Sequence, residues 1–357
     1  MRETFLTYLQ CPECRGDLET RQAGGGHERA EPEELHCRSC DRGYPIEDGV
    51  PNLLLHVKHD DEGRMQAGFE FEWRHFFRQE KPYLTRMALE WVYPLRPEDF
   101  ADRVVLDAGC GMGRNTRVFL SMRPKAVIAF DLHDGVKLAA RRCTEWTNAH
   151  FAKADLFQSP LRPAFDLVVS IGVLHHTPDP AAAFHSLAML LKPGGRIAVF
   201  VYGKQRERLI MHMVTALRLA VFSRLPRPLL LVLCYALGCL LYPIIFWLYP
   251  AIERGRWGWA TRLPFSKYFG WVRKTDFENL VHILFDHLVT PIASYHSQQD
   301  LRHWVEASGF ELESLWHRYG MSWVVVARRP LTASLSPSGE KVMEGDARRE
   351  SGPVFQG

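Results

Sequence analysis

The sequence predicts an α/β fold with a parallel sheet, preceded by a small cysteine-rich unit and interrupted by an apolar helical insertion. Short apolar runs that end in an acid alternate with stretches of helical periodicity, a pattern typical of strands buried between two layers of helices. Two C-x-x-C pairs lie near the N-terminus, and a long uncharged apolar run follows the fifth predicted strand. These observations predict a metal-binding unit, a main domain and an insertion within that domain.

The chain has 357 residues, of which 46% are hydrophobic, enough for two domains or one domain with additions. Its formal net charge of +3 is too close to balance for a surface that coats nucleic acid, so nucleic acid is not expected as a partner. The first residues lack a basic start followed by an apolar stretch, so we expect no signal peptide and a cytoplasmic location. The sequence gives no indication of the oligomeric state.

Residues 1–56 are predicted to form a small ribbon around a metal ion. The cysteines of its two pairs are Cys11, Cys14, Cys37 and Cys40. Each pair can bring two thiolates to one ion, and together they complete the closed tetrahedral shell of a structural Zn(II) site. The alternative is four unrelated buried cysteines. Three consecutive glycines, at 24–26, lie between the pairs and predict a lengthened hairpin loop.

The main domain is predicted to begin with a buried strand at Val104–Asp107, followed by a glycine turn. The glycines fall at 109, 111 and 113, whereas a dinucleotide-binding turn has the spacing G-x-G-x-x-G, which suits a pyrophosphate. Arg114 occupies the place of the third glycine of that motif. The carboxylate of Asp107 would repel a pyrophosphate but could hold the ammonium group of an amino acid. The helix that follows, from about Asn115, directs its N-terminal amides toward the same ligand.

This turn resembles motif I of class I S-adenosylmethionine-dependent methyltransferases of the type 11-like group. Later segments fit the family in the expected order: strands that end at Asp131 and near Asp155, a fourth strand at Phe165–Ser170, and a glycine turn at 192–195 before the fifth. The resemblance implies a seven-stranded Rossmann-like sandwich over residues 101–330. It is closest over residues 100–203 and weaker over 290–330.

The resemblance also implies a site for S-adenosylmethionine. The glycine turn would meet the methionine part of the cofactor, Asp131 would accept the ribose hydroxyls, and Asp155 with Leu156 would hold the adenine. The cofactor-binding residues expected on this basis are Asp107, Gly109, Cys110, Gly111, Gly113, Asp131, Leu132, Asp155, Leu156 and Ile171.

Histidines are the candidate general bases, because imidazole titrates near neutral pH. His175 and His176 follow the fourth predicted strand, where an open parallel sheet presents residues to ligands. The alternative is that one of them braces the loop while the other faces solvent. His296 is a weaker catalytic candidate. Other residues that could line a substrate pocket, but whose spacing fits no metal-ligand motif, are His282, Asp286 and His287.

The segment from Gly43 to Leu54, together with the cysteine pairs, resembles the small zinc ribbons related to the Trm112 activator of methyltransferases. In that family the ribbon stabilises or docks onto a methyltransferase, and here it would be fused in cis. A unit this small buries little apolar surface, so metal should supply much of its folding free energy.

Residues 57–100 are predicted to be a connector with an aromatic cap helix. Its aromatic cluster consists of Phe69, Phe71, Trp73, Phe76 and Phe77. These side chains could pack on the main domain, or the helix could form a flap over the mouth of the site. Tyr83 is a further candidate for the substrate pocket.

Residues 204–290 are the predicted insertion. Its run Leu229–Ile252 is uncharged and exceeds the roughly 20 residues that a membrane span needs. A single crossing would place strands of one sheet on opposite sides of a bilayer, and Pro243 and Pro250 should kink or end the helix. Three interpretations remain: a helical hairpin (209–252) in the cytoplasmic leaflet, a buried lid or dimer face, and paired crossings. The first predicts a peripheral location on the inner face of the membrane.

The predicted function is methyl transfer from S-adenosylmethionine to an O, N or C nucleophile of a small, hydrophobic or lipid-linked acceptor. One alternative, suggested by the ribbon, is a methyltransferase acting on tRNA, rRNA or protein. Ser170-Ile171-Gly172-Val173 stands where enzymes that methylate base amino groups carry (Asn/Asp)-Pro-Pro-(Tyr/Phe), which argues against that chemistry. Another alternative is a catalytically silent cofactor-binding scaffold. The polar residues 331–357 are predicted to be a disordered tail.

Overall fold

The structure is a computed structural model that describes residues 3–22, 33–55, 60–76, 81, 83–204, 208–254, 265–290 and 292–331. The glycine loop at 24–26, Phe77 and residues 332–357 of the predicted tail lie outside the described residues.

The N-terminal unit is a short helix followed by a four-stranded antiparallel sheet in the order β1-β2-β3-β4. Its elements are α1 (Glu3–Leu6), β1 (Leu18–Gln22), β2 (Glu33–Cys37), β3 (Gly43–Glu47) and β4 (Val50–Pro51). The pairing of Leu18 with Cys37 brings the two cysteine pairs to one end of this ribbon.

The ribbon shares its core with the main domain. Leu9, Leu35 and Tyr44 are buried in one hydrophobic cluster with Phe165 of the large sheet. The backbone amide of Leu53 donates to the Lys153 carbonyl at 2.8 Å. Because apolar surface and backbone hydrogen bonds both cross the boundary, the two units are packed as one body.

The main domain contains a seven-stranded sheet in the order β10-β11-β9-β8-β5-β6-β7. Its strands are β5 (Val104–Ala108), β6 (Ala126–Asp131), β7 (Ala149–Lys153), β8 (Phe165–Ile171), β9 (Leu191–Tyr202), β10 (Glu311–Arg318) and β11 (Ser322–Arg328). The first five are mutually parallel, and β10 and β11 are antiparallel. The predicted seven-stranded Rossmann-like sandwich is therefore confirmed. The turn predicted at 192–195 is instead part of β9.

Strand β5 lies in the middle of the sheet, and every residue of β5 and β6 is buried. Strand β6, which follows β5 in the chain, pairs with one edge of β5, and the later strand β8 pairs with its other edge. Ligands of open parallel sheets bind at such a switch point, beyond the carboxyl ends of the strands. The helices of this part are α4 (Arg114–Ser121), α5 (Gly135–Arg142), α6 (Pro180–Ala188) and α12 (Gln298–Ala307).

The connector and the insertion are helical. The connector forms α2 (Asp60–Phe76) and α3 (Tyr83–Trp91), and the insertion forms α7 (Arg208–Ala220), α8 (Arg227–Pro243), α9 (Tyr249–Arg254), α10 (Ser266–Val272) and α11 (Phe277–Val289). Pro243 does not end the apolar helix, because the π-helical stretch Ile244–Leu248 joins α8 to α9.

The helical run Arg227–Ile252 is long and apolar enough to cross a membrane, by length and composition only, and 22% of its most apolar window is buried. One such helix is weak support for a membrane span, because core helices of soluble proteins can be equally long and apolar. In the described structure the other residues of this run are exposed or partly exposed, and the choice between a membrane-associated hairpin and a lid or dimer face stays a prediction.

Candidate active site

A cavity of about 370 Å³ lies at the carboxyl ends of the central strands. The segments that follow β5, β6, β7 and β8 line it, through residues 109–112, 132–133, 154–157 and 172–173. Helices α2 and α11 close it from the other side, with Trp73 and Asp286 among their contributions. The cavity therefore occupies the place at which the fold presents ligands.

The turn after β5 has a backbone that requires glycine. Gly109 has φ of +79°, and a Cβ added there would stand 2.2 Å from Val173 Cγ2. Gly111 has φ of +55°, and its amide donates to Asp131 Oδ2 at 2.8 Å. Left-handed backbone and close packing both exclude a side chain, so the turn presents bare backbone to the cavity.

Two acids predicted from successive strand ends reach the cavity wall. Asp131 is 7% exposed, and its Oδ1 accepts from the His133 amide at 2.9 Å. Asp155 Oδ1 accepts from the Phe157 amide at 2.8 Å. Backbone amides thus fix both carboxylates at the rim of one cavity.

Two predicted residues lie behind this wall. Asp107 is 2% exposed, and its Oδ2 accepts from Thr116 Oγ1 at 2.6 Å. Burial raises the pKa of Asp107 to about 7. Gly113 packs against α5, where an added Cβ would stand 2.8 Å from Ala139 Cβ. In the described structure both shape the turn from inside the domain, and neither lines the cavity.

The predicted cofactor-binding residues on the cavity wall are Gly109, Cys110, Gly111, Asp131, Leu132, Asp155, Leu156 and Ile171. The sheet topology brings them together from four chain segments. Their role in cofactor binding remains a prediction.

The three candidate bases have different surroundings. His176 lines the cavity, and its Nδ1 is 2.7 Å from the Ile292 carbonyl oxygen. Since a carbonyl only accepts, Nδ1 carries the proton and Nε2 keeps its lone pair. Burial lowers the pKa of His176 below its usual value.

His175 is fully buried beneath the cavity, with its ring centroid 3.8 Å from that of Tyr202. Neither ring nitrogen has a hydrogen-bond partner in the described part of the chain. Burial lowers the pKa of His175 well below its usual value, so the ring is neutral. His296 lies off the cavity, with Nε2 2.9 Å from Ser294 Oγ, and burial lowers its pKa to about 4.

The insertion contributes polar side chains to the cavity wall. The sequence indicated them only as possible lining residues of a substrate pocket. His282 Nε2 lies 2.7 Å from Glu72 Oε1, and the Tyr202 hydroxyl donates to Asp286 Oδ2 at 2.6 Å. Burial alone would raise the pKa of Asp286, but the contact with His287 and the nearby imidazoles outweigh it and hold this pKa below its usual range. The four-residue spacing of His282 and Asp286, one face of a helix, was the signal available in the sequence.

Aromatic side chains form much of the remaining wall. They include Phe69, Trp73, Trp91, Phe200, Tyr268 and Trp271. On α2, Phe69 and Trp73 face the cavity, whereas Phe71 and Phe76 pack against Phe285 of α11. The aromatic helix thus contacts the domain and also covers the site. Tyr83 instead donates to Asp276 at 3.2 Å and does not line the described cavity.

The four ribbon cysteines form a separate cluster in which all Sγ atoms lie within 4.8 Å of one another. Cys11 Sγ is 3.7 Å from Cys40 Sγ, and Cys14 Sγ is 3.4 Å from Cys37 Sγ. Thiolates around one tetrahedral zinc are separated by roughly 3.8 Å, given Zn–S bonds of about 2.3 Å. The donor set and its spacing therefore fit a four-coordinate metal ion.

Comparison with known proteins agrees with this architecture. Residues 106–199 match the family model described as a methyltransferase domain, and residues 2–49 match that of Trm112p-like protein. The chain is 33% identical over 104 residues to a ubiquinone biosynthesis O-methyltransferase of Azotobacter vinelandii, covering 27% of this chain and 43% of the relative. It is 30% identical over 108 residues to a tRNA U34 carboxymethyltransferase of Idiomarina loihiensis, covering 29% and 33%.

The chain thus spans less than half the length of either relative. Among solved structures, it is similar to the 1,6-didemethyltoxoflavin-N1-methyltransferase of Burkholderia thailandensis, with 16% identity and a TM-score of 0.45, covering 83% of this chain and 98% of that one. Residues 106–199 are a methyltransferase domain, and residues 2–49 are a Trm112p-like domain fused to its N-terminal side.

Proposed function

We propose that this protein is an S-adenosylmethionine-dependent methyltransferase that acts on a small hydrophobic or lipid-linked acceptor, in the cytoplasm at the inner face of the membrane. The observation that supports this proposal most strongly is that a glycine turn with exposed backbone, two carboxylates held by backbone amides and a wall of aromatic side chains meet at one cavity. The first two features suit a polar nucleoside, and the third suits an apolar acceptor.

The turn at Gly109–Gly111 would let the backbone approach the methionine part of the cofactor. Asp131 would hold the ribose hydroxyls, and Asp155 with Leu156 would hold the adenine. Asp107 lies behind the turn and would stabilise it through Thr116. When bound, S-adenosylmethionine supplies an electrophilic methyl group on a sulfonium.

The protein's contribution to this chemistry is alignment and the exclusion of water. In-line displacement depends mainly on holding the nucleophile close to the methyl carbon. Phe69, Trp73 and Trp271 enclose the cavity with aromatic surface. For an acceptor that carries a proton, His176 is the base that the geometry favours, because its Nδ1 is anchored to a carbonyl and its Nε2 can accept.

We also propose that the four ribbon cysteines hold one structural Zn(II). The shell is complete without water, so the ion would have no open position for catalysis. Because the ribbon shares a hydrophobic cluster with the sheet, metal binding would stabilise the whole chain.

Isothermal titration of the full chain with S-adenosylmethionine tests the cofactor assignment. We expect binding that Asp131→Asn weakens and that Asp17→Asn, a surface change on the ribbon, leaves unaltered. Labelled methyl transfer into separated lipid, RNA and protein pools then tests the acceptor. No binding at millimolar cofactor would refute the cofactor assignment, and binding without label in any pool would support the silent cofactor-binding scaffold. Label confined to RNA or protein would support the alternative enzymes.

A further inference from the structure

Exposed apolar side chains concentrate on one part of the insertion. Of 16 large hydrophobic side chains exposed in the described chain, 13 lie between Met213 and Leu248, on α7, the residue that follows it, α8 and the π-helical stretch. We call these exposed side chains the apolar face. Leu240 and Trp247 are both 68% exposed, and Val232 is 62% exposed. Folded monomers rarely leave large apolar patches in water, so a concentration of exposed apolar side chains of this kind points to an interaction surface.

The width of this surface indicates what covers it. On α8 only Leu230, Cys234 and Gly238 are buried, a narrow stripe with a spacing of four residues. The rest of the helix circumference is apolar and at least partly exposed, and no charged residue occurs from Pro228 to Ile252. A protein partner would cover one face of such a helix, whereas lipid surrounds it on every exposed side.

Charge gives the second indication. The segment from Arg208 to Ile252 contains no aspartate or glutamate, and of its arginines Arg224 is exposed, Arg227 is partly exposed and Arg218 is buried. Arg224 is exposed where α8 begins, and Trp247 is exposed near the other end of the run. Cationic and indole groups at the ends of an apolar helix suit the headgroup region of a membrane with anionic lipids.

The fold also fixes the orientation of the helix. The insertion leaves the sheet after Tyr202 and returns at His296, and the His296 amide donates to the Tyr202 carbonyl at 3.0 Å. Both ends of the insertion thus lie on the same side of any membrane. Gly238 also brings α8 close to α11, since a Cβ there would stand 3.0 Å from Val281 Cγ2. The helix therefore lies along the surface of the domain, and the position of the two insertion ends argues against a single crossing of a bilayer.

We propose that the apolar face inserts into one leaflet of a bilayer that contains anionic phospholipids, with α8 parallel to the membrane plane. In the described structure α11 lies between α8 and the cavity, because Val281 and Phe285 pack under α8 while His282 and Asp286 line the cavity. This arrangement places the cavity one helix away from the lipid phase. Delivery of a lipid-borne acceptor to the cavity rests on the proposed function, whereas membrane docking itself does not.

Cosedimentation of the full chain with vesicles tests the docking. We expect binding to vesicles of phosphatidylcholine with phosphatidylglycerol, and weaker binding to phosphatidylcholine alone. The double variant Val232→Glu/Leu240→Glu should bind at least about tenfold more weakly, because each change puts a charge into hydrocarbon. Leu331→Glu is the matched control, since Leu331 is 79% exposed but lies outside the apolar face, and it should bind as the wild type does.

A second measurement needs no variant. Cys239 is an exposed cysteine of α8, and its modification by a maleimide can be followed in its own peptide by mass spectrometry. We expect vesicles to slow this modification. Wild-type protein that stays in the supernatant with both vesicle types would overturn the proposal. A stable dimer that protects Cys239 without lipid would also overturn it and assign the face to a second copy. A protein that does not bind the cofactor could still bind vesicles. Membrane docking and the cofactor assignment can therefore be refuted independently.

Discussion

The indole ring of Trp73 lies against the backbone of Gly111. A Cβ added at Gly111 would stand 3.1 Å from Trp73 Cζ2, and one added at Gly135 would stand 2.2 Å from Trp73 Cζ3. The connector helix α2 thus packs against two glycines of the main domain. This contact makes the aromatic connector part of the candidate site and ties the position of α2 to the shape of the glycine turn.

Gly111→Ala should weaken cofactor binding at least about tenfold, because the new methyl group strains a left-handed backbone and displaces Trp73. Isothermal titration with S-adenosylmethionine measures the effect. Gly309→Ala is the matched control, since Gly309 has φ of +71° but nothing within 4 Å of an added Cβ. It should lower stability by about 1 kcal/mol and leave affinity unaltered. Equal affinities for both variants would contradict the role of the turn.

Glu90→Gln should lower the free energy of unfolding by about 3–5 kcal/mol, because it leaves a buried cation without its carboxylate. Arg318 donates to Glu90 at 2.8 Å, and both side chains are 3% exposed. Chemical denaturation gives the value. The double variant Glu90→Leu/Arg318→Met removes both charges and should be more stable than Glu90→Gln. If Glu90→Leu/Arg318→Met were less stable than Glu90→Gln, the destabilisation by Glu90→Gln could not be attributed to an unpaired buried charge.

Cys37→Ser should release the metal and lower the melting temperature of the whole chain, since the ribbon and the sheet share one core. Native mass spectrometry reports the metal content, and calorimetry reports the melting temperature. Cys239→Ser changes an exposed cysteine outside the cluster and should alter neither. Retention of one ion per chain in Cys37→Ser would refute the four-cysteine site.

Stability should fall as the pH drops from about 6.5 toward 4, in part through His296. Burial lowers the folded-state pKa of His296 from 6.5 to about 4, so in this window the unfolded chain binds a proton that the folded chain does not. His296→Gln should therefore flatten the dependence of unfolding free energy on pH by up to about 1.4 kcal/mol per pH unit. Denaturant titrations at several pH values provide the slopes. Identical slopes for both proteins would contradict this account.

Much of the fold and the site could be predicted from local sequence. The acid at 131 ends a buried strand and the glycines at 109 and 111 form a tight turn, and both features depend on backbone geometry and on burial of the flanking residues. The same holds for the cysteine pairs, because two residues separate the ligands in each pair. The roles of Asp107, Gly113, His175 and His296 were inferred by position alone, and all four lie off the described cavity wall.

The sequence by itself determined the order of strands and helices, the presence of a metal-ligand set and the existence of a long uncharged helix. Each is encoded within a short stretch, by periodicity or by ligand spacing. Only the tertiary structure decided that Glu72 meets His282 across 210 positions and that only 22% of the most apolar part of the long helix is buried. Contacts between distant segments depend on how whole elements pack, and a helix that is apolar on every side has no periodicity that would indicate which of its faces remains uncovered.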